Sequence, residues 1–306
     1  KAQDVFDKLP CRDVISWTTL ITGYTKHEYN EQALNCFEKM QQEGISPDGI
    51  TFVCTLKACG SAGVIENGIK IHDEIIRKGL LEGDVVVGNA LIDMYVNCGS
   101  FSDASTIFNR LPERDLVSWT SLITGYTQHG HGWEALAAFE KMQQARIKAN
   151  EVTFIAVMKA CASILDLDRG KRIHADLIEQ GFSLGVNSST VLVDMYCKCR
   201  TLEDALIEFN KLSSRDVMAW TTLISGYTQH ECGIEALQIF KQMRQQNIEP
   251  NQITFICVLK ACSSISALEQ GRQVHSQLTE HGFHFDPLLG NALIDMYVKC
   301  GDLEDA

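Results

Sequence analysis

Apolar residues along the chain recur three or four apart, in short stretches that are each broken by a polar or glycine turn. In "VISWTTLITGYTKH" Trp17, Leu20, Ile21 and Tyr24 share one helical face, and in "NEQALNCFEKMQQEG" Ala33, Leu34, Phe37 and Met40 do the same before a stop at Gly44. That pattern predicts a helix, a turn and a second helix. The first stretch holds an anomaly. Two threonines follow the tryptophan of "SWTTLITGYT", although a β-branched hydroxyl residue suits a helix interior poorly. The phrase returns as "SWTSLITGYT" from Ser118 and "AWTTLISGYT" from Ala219, so something besides helix propensity selects those hydroxyls.

The recurrence extends over the whole chain. Trp17, Trp119 and Trp220 lie 102 and 101 residues apart, Phe52, Phe154 and Phe255 each follow a Trp by 35, and Tyr95, Tyr196 and Tyr297 close each cycle. Each long period divides into three repeats: 14–48, 49–84 and 85–115, then 116–150, 151–185 and 186–216, then 217–251, 252–286 and a truncated 287–306. The complete repeats hold 35, 36, 31, 35, 35, 31, 35 and 35 residues. Residues 1–13 supply the end of a preceding short repeat, so the chain is expected to be a window on a longer array without caps. Helical pairs of this size cannot bury their apolar faces alone and must stack. The predicted fold class is all-α, a right-handed α-solenoid superhelix of stacked helix-turn-helix repeats.

Composition narrows the reading. With 306 residues, 45% hydrophobic and 22% charged, the chain can bury an ample core, and no apolar run approaches the roughly 20 residues that a bilayer requires. The first residue is Lys1, so the presence or absence of a targeting peptide is not legible. The twelve cysteines fall in register, Cys59, Cys161 and Cys262 in "KAC" and Cys98, Cys199 and Cys300 after "MY", which reads as small packing residues in a reducing compartment. A net charge of −12 argues against a broadly basic nucleic-acid surface.

The set Trp17, Leu20, Gly23, Tyr24, Ala33, Phe37 and Pro47 resembles the tetratricopeptide pattern, whose repeats hold 34 residues and bind proteins. The alternation of 35, 35 and 31 residues, with "LIDMY", "KAC", "G..IH" and "LP.RD" recurring in register, resembles instead the pentatricopeptide repeat (PPR) family and its PLS subclass. The resemblance covers essentially the whole chain. It implies a protein that reads single-stranded RNA at one base per helical repeat with two or three side chains.

Within each repeat the second, fifth, ninth and thirteenth residues fall on one face of the first helix. The fifth place holds Thr18, Asn89, Thr120, Thr190, Thr221 and Asn291 in first and third repeats, but Val53, Ile155 and Ile256 in middle repeats. Only the former carry groups that donate and accept hydrogen bonds. The last residue is Asp48, Asp84, Asp115, Asn150, Gly185, Asp216, Asn251 or Asp286. Two structural roles compete with base reading here: Asp and Asn are favoured N-caps, and a helical Thr hydroxyl often returns to a carbonyl one turn earlier.

By resemblance to the family, Thr18 with Asp48 implies G, Asn89 with Asp115 U, Thr120 with Asn150 A, Thr190 with Asp216 G, Thr221 with Asn251 A, and Asn291 a pyrimidine. The middle repeats stay unassigned, giving 5′-GNUANGANY-3′. The second place holds Ile15, Ile50, Val86, Val117, Val152, Asn187, Met218, Ile253 and Leu288. In the family such residues clamp a base, and ordinary packing between helices would need the same residue type. Asn187 breaks the row. Lys57, Lys159 and Lys260 occupy the ninth place of the middle repeats, and Lys26, Lys198 and Lys299 the thirteenth of others. They are either simply solvated or form a locally basic, phosphate-binding groove on an acidic body.

Catalytic constellations are not legible. "HDE" at His72 to Glu74 mimics half of a deaminase zinc motif, but its counterparts read "HAD" from His174 and "HSQ" from His275, and no Cys-x-x-Cys occurs. No Walker-type loop or nucleophile elbow is present. The expectation is a non-enzymatic chain without cofactor or metal that binds single-stranded organellar RNA in a mitochondrion or chloroplast. It would guide processing such as C-to-U editing, with editing-complex proteins or a deaminase in cis or in trans as further partners and no membrane. The alternative is a tetratricopeptide-like scaffold for a protein partner.

Overall fold

The computed structural model describes residues 2–181, 185–280 and 287–302, and among these every regular element is a helix. In chain order they are α1 (Ala2–Asp7), α2 (Val14–Lys26), α3 (Asn30–Gln42), α4 (Gly49–Ala62), α5 (Ile65–Arg77), α6 (Leu80–Gly83), α7 (Val85–Asn97), α8 (Phe101–Arg110), α9 (Leu116–Gln128) and α10 (Gly132–Gln144). They continue with α11 (Glu151–Ile164), α12 (Leu167–Glu179), α13 (Val186–Lys198), α14 (Leu202–Lys211), α15 (Val217–Gln229), α16 (Gly233–Gln245), α17 (Gln252–Ser264), α18 (Leu268–Glu280) and α19 (Pro287–Lys299). The chain divides into two compact units, 1–160 and 161–306. In the first, α2, α4, α7 and α9 pack side by side as a row of first helices, with α3, α5, α8 and α10 beside them as second helices. In the second, α13, α15, α17 and α19 form the row and α14, α16 and α18 the second layer. No helix among the described residues is long and apolar enough to cross a membrane.

The short repeats are short because α8 and α14 hold 10 residues where the long repeats have 13. Residues 49–84 hold an extra helical turn, α6, which the periodicity did not predict. Gly44 ends α3 in the left-handed region at φ 75°, and Arg146 and Asn247 hold the equivalent place at φ 58° and 57°, where an L side chain costs about 1 kcal/mol or more.

The recurring words are packing instructions. In "LP.RD", which reads "LSSRD" at its third occurrence, the aspartate caps the next first helix while the arginine stacks on the phenylalanine of the preceding second helix, at 5.1 Å for Arg12 on Phe6, 5.3 Å for Arg114 on Phe108 and 5.1 Å for Arg215 on Phe209. The same rings meet Trp17, Trp119 and Trp220 edge-on at 4.5, 4.6 and 4.8 Å. Such pairs add roughly 0.5–1.5 kcal/mol each beyond the area they bury. Arg114 and Arg215 also donate to the last carbonyls of α8 and α14, through Phe108 and Asn109 and through Phe209 and Asn210.

"G..IH" and "DMY" interlock in the same way. A Cβ on Gly68, Gly170 or Gly271 would run into the side chain of Met94, Met195 or Met296, so glycine is what admits the methionine. One turn on, His72, His174 and His275 bond through Nδ1 to Tyr95, Tyr196 and Tyr297 at 2.7, 2.9 and 2.9 Å. The "HDE" histidine therefore belongs to a packing motif. Cys59, Cys161 and Cys262 are fully buried, and burial pushes each thiol up to about 12.

Burial holds the pKa of His72 and His174 below the ordinary 6.5, opposed by Asp73 at the first and Glu208 at the second. Tyr95 and Tyr196, pushed up to about 12 by burial, stay protonated as their hydrogen-bond partners. The unfolded chain takes up these protons first as pH falls, so the stability is complete above pH 6.5 and is lost progressively below it. Urea midpoints should fall between pH 7 and 5, and the His72→Gln/His174→Gln double variant should show a shallower fall; an identical slope would refute this linkage.

Candidate nucleic-acid interface

Each repeat ends where the next first helix begins, and the first backbone N–H groups of that helix need acceptors. Asp48 Oδ1 accepts from Thr51 N at 2.8 Å, Asp115 Oδ1 from Ser118 N at 2.8 Å, Asn150 Oδ1 from Thr153 N at 2.8 Å, Asp216 Oδ1 from Ala219 N at 2.9 Å and Asn251 Oδ1 from Thr254 N at 2.9 Å. Asp84 caps α7 through Val86 and Val87, whereas Gly185 supplies no side-chain cap. Asp286 lies outside the described residues. Capping uses one side-chain oxygen. The second oxygen of Asp48 and Asp115, and the Nδ2 of Asn150, have no protein partner among the described residues.

The fifth residues fall into four arrangements. Thr18 and Thr120 point their hydroxyls at Thr51 and Thr153 of the next repeat, at 2.6 and 2.8 Å, and those hydroxyls lie 2.7 and 2.8 Å from the capping oxygens of Asp48 and Asn150. Asn89 joins Asp115 directly through Nδ2 at 3.2 Å and accepts from Ser118 Oγ at 2.6 Å. Thr221 meets both Thr254 Oγ1 at 2.6 Å and the Val217 carbonyl at 2.7 Å. Among the described residues Thr190 returns only to the Val186 carbonyl, at 2.8 Å. The structure thus brings four of the five complete pairs together, and leaves Thr190 and Asp216 unlinked. Asn291 is exposed, and its pairing position is not in the sequence.

The bridging residues Thr51, Ser118, Thr153 and Thr254 were missed by a reading confined to one repeat. The signal was present as Asp or Asn followed three residues later by Ser or Thr, a capping pattern. Asp115 shows the electrostatic result. Burial alone would raise its pKa, but donors from Ser118 and Asn89 outweigh it and hold the carboxyl below 3.8. Thr19, the second threonine of the opening phrase, bonds the Ile15 carbonyl at 2.7 Å and faces solvent.

The second residues are exposed, from 53% at Val117 and Met218 to 71% at Ile15, with Asn187 exposed as well. Burial between helices does not account for such a row. Lys26, Lys57, Lys159 and Lys260 are exposed and in no salt bridge among the described residues, whereas Lys198 and Lys299 pair with Asp194 and Asp295 at 2.8 and 2.9 Å. The ninth place runs Thr22, Lys57, Asp93, Thr124, Lys159, Asp194, Ser225, Lys260 and Asp295. Its three lysines and three aspartates cancel, so the row is charge-alternating and not the basic groove expected from the lysines alone. Asp93 is open to solvent yet walled by protein, and this desolvation raises its carboxyl pKa against the opposing pull of Ser121 and Lys57.

A family profile described as PPR repeat family matches residues 12–61, 114–163 and 215–264, and one described as PPR repeat matches 89–116 and 291–306. A pentatricopeptide repeat-containing protein of Arabidopsis thaliana is 40% identical over 304 residues, covering 98% of this chain and 42% of the relative. A putative one from the same plant is 36% identical over 307 residues, 100% of this chain and 50% of the relative. A third, named as chloroplastic, is 36% identical over 303 residues, 99% of this chain and 34% of the relative. The chain spans half or less of the length of these relatives. The crystal structure of the maize pentatricopeptide repeat protein PPR10 matches with a TM-score of 0.56 at 17% identity, over 98% of this chain and 50% of that one. The same protein in complex with an 18-nucleotide psaJ RNA element gives 0.58 at 17%, over 95% and 47%. At that identity the likeness is one of fold.

Because Val117 is exposed, Val117→Ala should change unfolding free energy by under about 0.5 kcal/mol. A loss above about 1 kcal/mol in urea titrations would make it a packing residue.

Proposed function

The chain belongs to the pentatricopeptide repeat family, and on that premise we propose that it binds single-stranded RNA in sequence-specific fashion, one base per repeat. The observation that carries this reading is the junction geometry. At Thr18 with Asp48, Asn89 with Asp115, and Thr120 with Asn150, two polar side chains are fixed together while one polar atom of the terminal residue stays unused. Beside each lies an exposed apolar residue, Ile15, Val86 or Val117, suited to hold a base face. The repeat limits proposed are those of the sequence reading, arranged as PLS triplets, and the target is 5′-GNUANGANY-3′. The maize protein that shares the fold was solved with a bound RNA element, which supports the class of ligand. Several relatives are named as chloroplastic, which supports an organellar setting and leaves chloroplast and mitochondrion as the two candidates. Within it, the proposed task is guidance of RNA processing, C-to-U editing above all, with catalysis supplied by a deaminase elsewhere in the full-length protein or in trans. The family matches are to pentatricopeptide repeats, which favours RNA over the tetratricopeptide-like protein-binding scaffold.

Base preference is tested by gel-shift titration with the target and single-base variants. Thr18→Asn, with Asp48 in place, should move the preference at the first base from G to U; equal weakening of every RNA would make Thr18 structural and defeat the pairing scheme. Salt dependence is a second measure. With Lys57, Lys159 and Lys260 as the unpaired contacts of the ninth place, log affinity against log salt should have a slope of about −2, at roughly 0.7 per contact for a single strand. Replacing all three by Ala should flatten the slope and keep the base preference, and an unchanged slope would exclude them as phosphate contacts.

A further inference from the structure

A hydroxyl carries one proton, and at two junctions the geometry decides where it goes. Thr51 Oγ1 lies 2.7 Å from the Asp48 carboxylate, which can only accept, so the Thr51 proton points there. The 2.6 Å contact between Thr51 and Thr18 is then a hydrogen bond only if Thr18 donates. Thr18 is left with lone pairs outward, as is the free oxygen of Asp48. Two neighbouring acceptors match one Watson–Crick edge among the four bases, that of guanine, whose N1–H and N2–H are adjacent donors.

The same accounting fits two of the three other linked pairs, while at the third Thr221 has both Thr254 and the Val217 carbonyl within reach of its one proton. Thr153 donates to Asn150 Oδ1 at 2.8 Å, so Thr120 at 2.8 Å also donates inward and presents an acceptor, while Asn150 turns its Nδ2 outward as a donor. That is the complement of adenine's N6 amine and bare N1. Asn89 gives one amide proton to Asp115 and keeps the other, beside the free Asp115 oxygen, a donor with an acceptor, as a uracil carbonyl and N3–H require. In each case the terminal residue faces the ring nitrogen and the fifth residue the exocyclic group.

We propose that the hydroxyl at the third place of the following repeat, at Thr51, Ser118, Thr153 and Thr254, is a positioning residue that locks the donor or acceptor sense of the reading pair before it. The inference rests on the RNA-reading role proposed above. Its consequence falls on the pair Thr190 and Asp216, whose following repeat has the buried Ala219 at that place. Among the described residues Thr190 holds only the Val186 carbonyl, 2.8 Å away on its own helix. Rotating the Thr18 hydroxyl outward would leave two oxygens facing each other 2.6 Å apart with no proton between them. Rotating that of Thr190 forfeits one back-bond. Thr190 therefore serves as an acceptor, which with Asp216 selects G, or as a donor, which with Asp216 selects U. The sixth base of the target is read as G or U without discrimination, and the first base as G.

The test is equilibrium binding of the chain to the nine-base target with G or U at the first or the sixth base, for wild type, Thr51→Val and Ala219→Ser. Thr51→Val keeps the side-chain shape, and Ala219→Ser adds one oxygen that Ser118 already carries at its own junction. Wild type should favour G over U by about tenfold at the first base and by less than about twofold at the sixth. Thr51→Val should bring the first ratio close to one, and Ala219→Ser should raise the sixth towards tenfold. The two variants move selectivity in opposite directions, so partial unfolding cannot imitate both. Equal G preference at both bases in wild type, with neither variant changing its ratio, would overturn the lock and leave RNA reading intact. Binding without base preference at any position would overturn the reading and the lock together.

Discussion

Except at Gly185, every junction among the described residues turns on one hydrogen-bonded side-chain oxygen. A first helix buried against its neighbours cannot leave its leading N–H groups unpaired, at a cost of about 1–3 kcal/mol for each. The carboxylate or amide that ends the preceding repeat meets that demand with Oδ1, as Asp48 does for Thr51 and Asn251 for Thr254. The cap fixes the side chain's rotamer and so fixes where its second polar atom points. Capping consequently leaves the second polar atom available for the proposed base reading, so the two roles that compete in the sequence do not exclude one another.

The rest of the junction is built to hold that oxygen in place. Arg114 stacks on Phe108, Phe108 meets Trp119 edge-on, and Asp115 stands between the arginine and the tryptophan in sequence, so the cap is set by aromatic packing on both sides. The arrangement recurs at Arg12 with Phe6 and Trp17, and at Arg215 with Phe209 and Trp220. Only junctions that open a triplet have it. Those between the second and third repeats use the glycine–methionine and histidine–tyrosine contacts instead, as at Gly68 with Met94 and His72 with Tyr95, and those between the first and second pack one phenylalanine edge-on to another, as at Phe37 with Phe52.

Much of this was legible because repetition exposes it. The three-fold return of Trp17, Phe52 and Tyr95 marks the buried positions, and the helical spacing of Trp17, Leu20, Ile21 and Tyr24 matches the side of α2 that is buried or half-buried. What escaped was whatever joins one repeat to the next. Thr18 and Thr51 are 33 residues apart, and no periodicity within a helix connects them. Nor does spacing reveal that Thr190 turns back on its own helix, because the decisive difference is the loss of an oxygen at Ala219. The lysines misled for a related reason: read alone they form a basic stripe, whereas Asp93, Asp194 and Asp295 occupy the same place in adjoining repeats.

That alternation bears on how an acidic chain could hold a polyanion selectively. Counterion release rewards every phosphate contact equally whatever the base, so a strongly basic surface raises the affinity for all sequences alike. A ninth-place row whose lysines and aspartates cancel gives little of this uniform attraction, and a net charge of −12 opposes it further. In the RNA-binding role proposed above, the free energy of binding then has to come from base faces on residues such as Ile15 and Val117 and from base edges on the terminal pairs. Each mismatch removes a larger share of a smaller total. Weak attraction to the backbone is thus no handicap for a reader of this kind, since it lets a few oriented hydrogen bonds decide which RNA is retained.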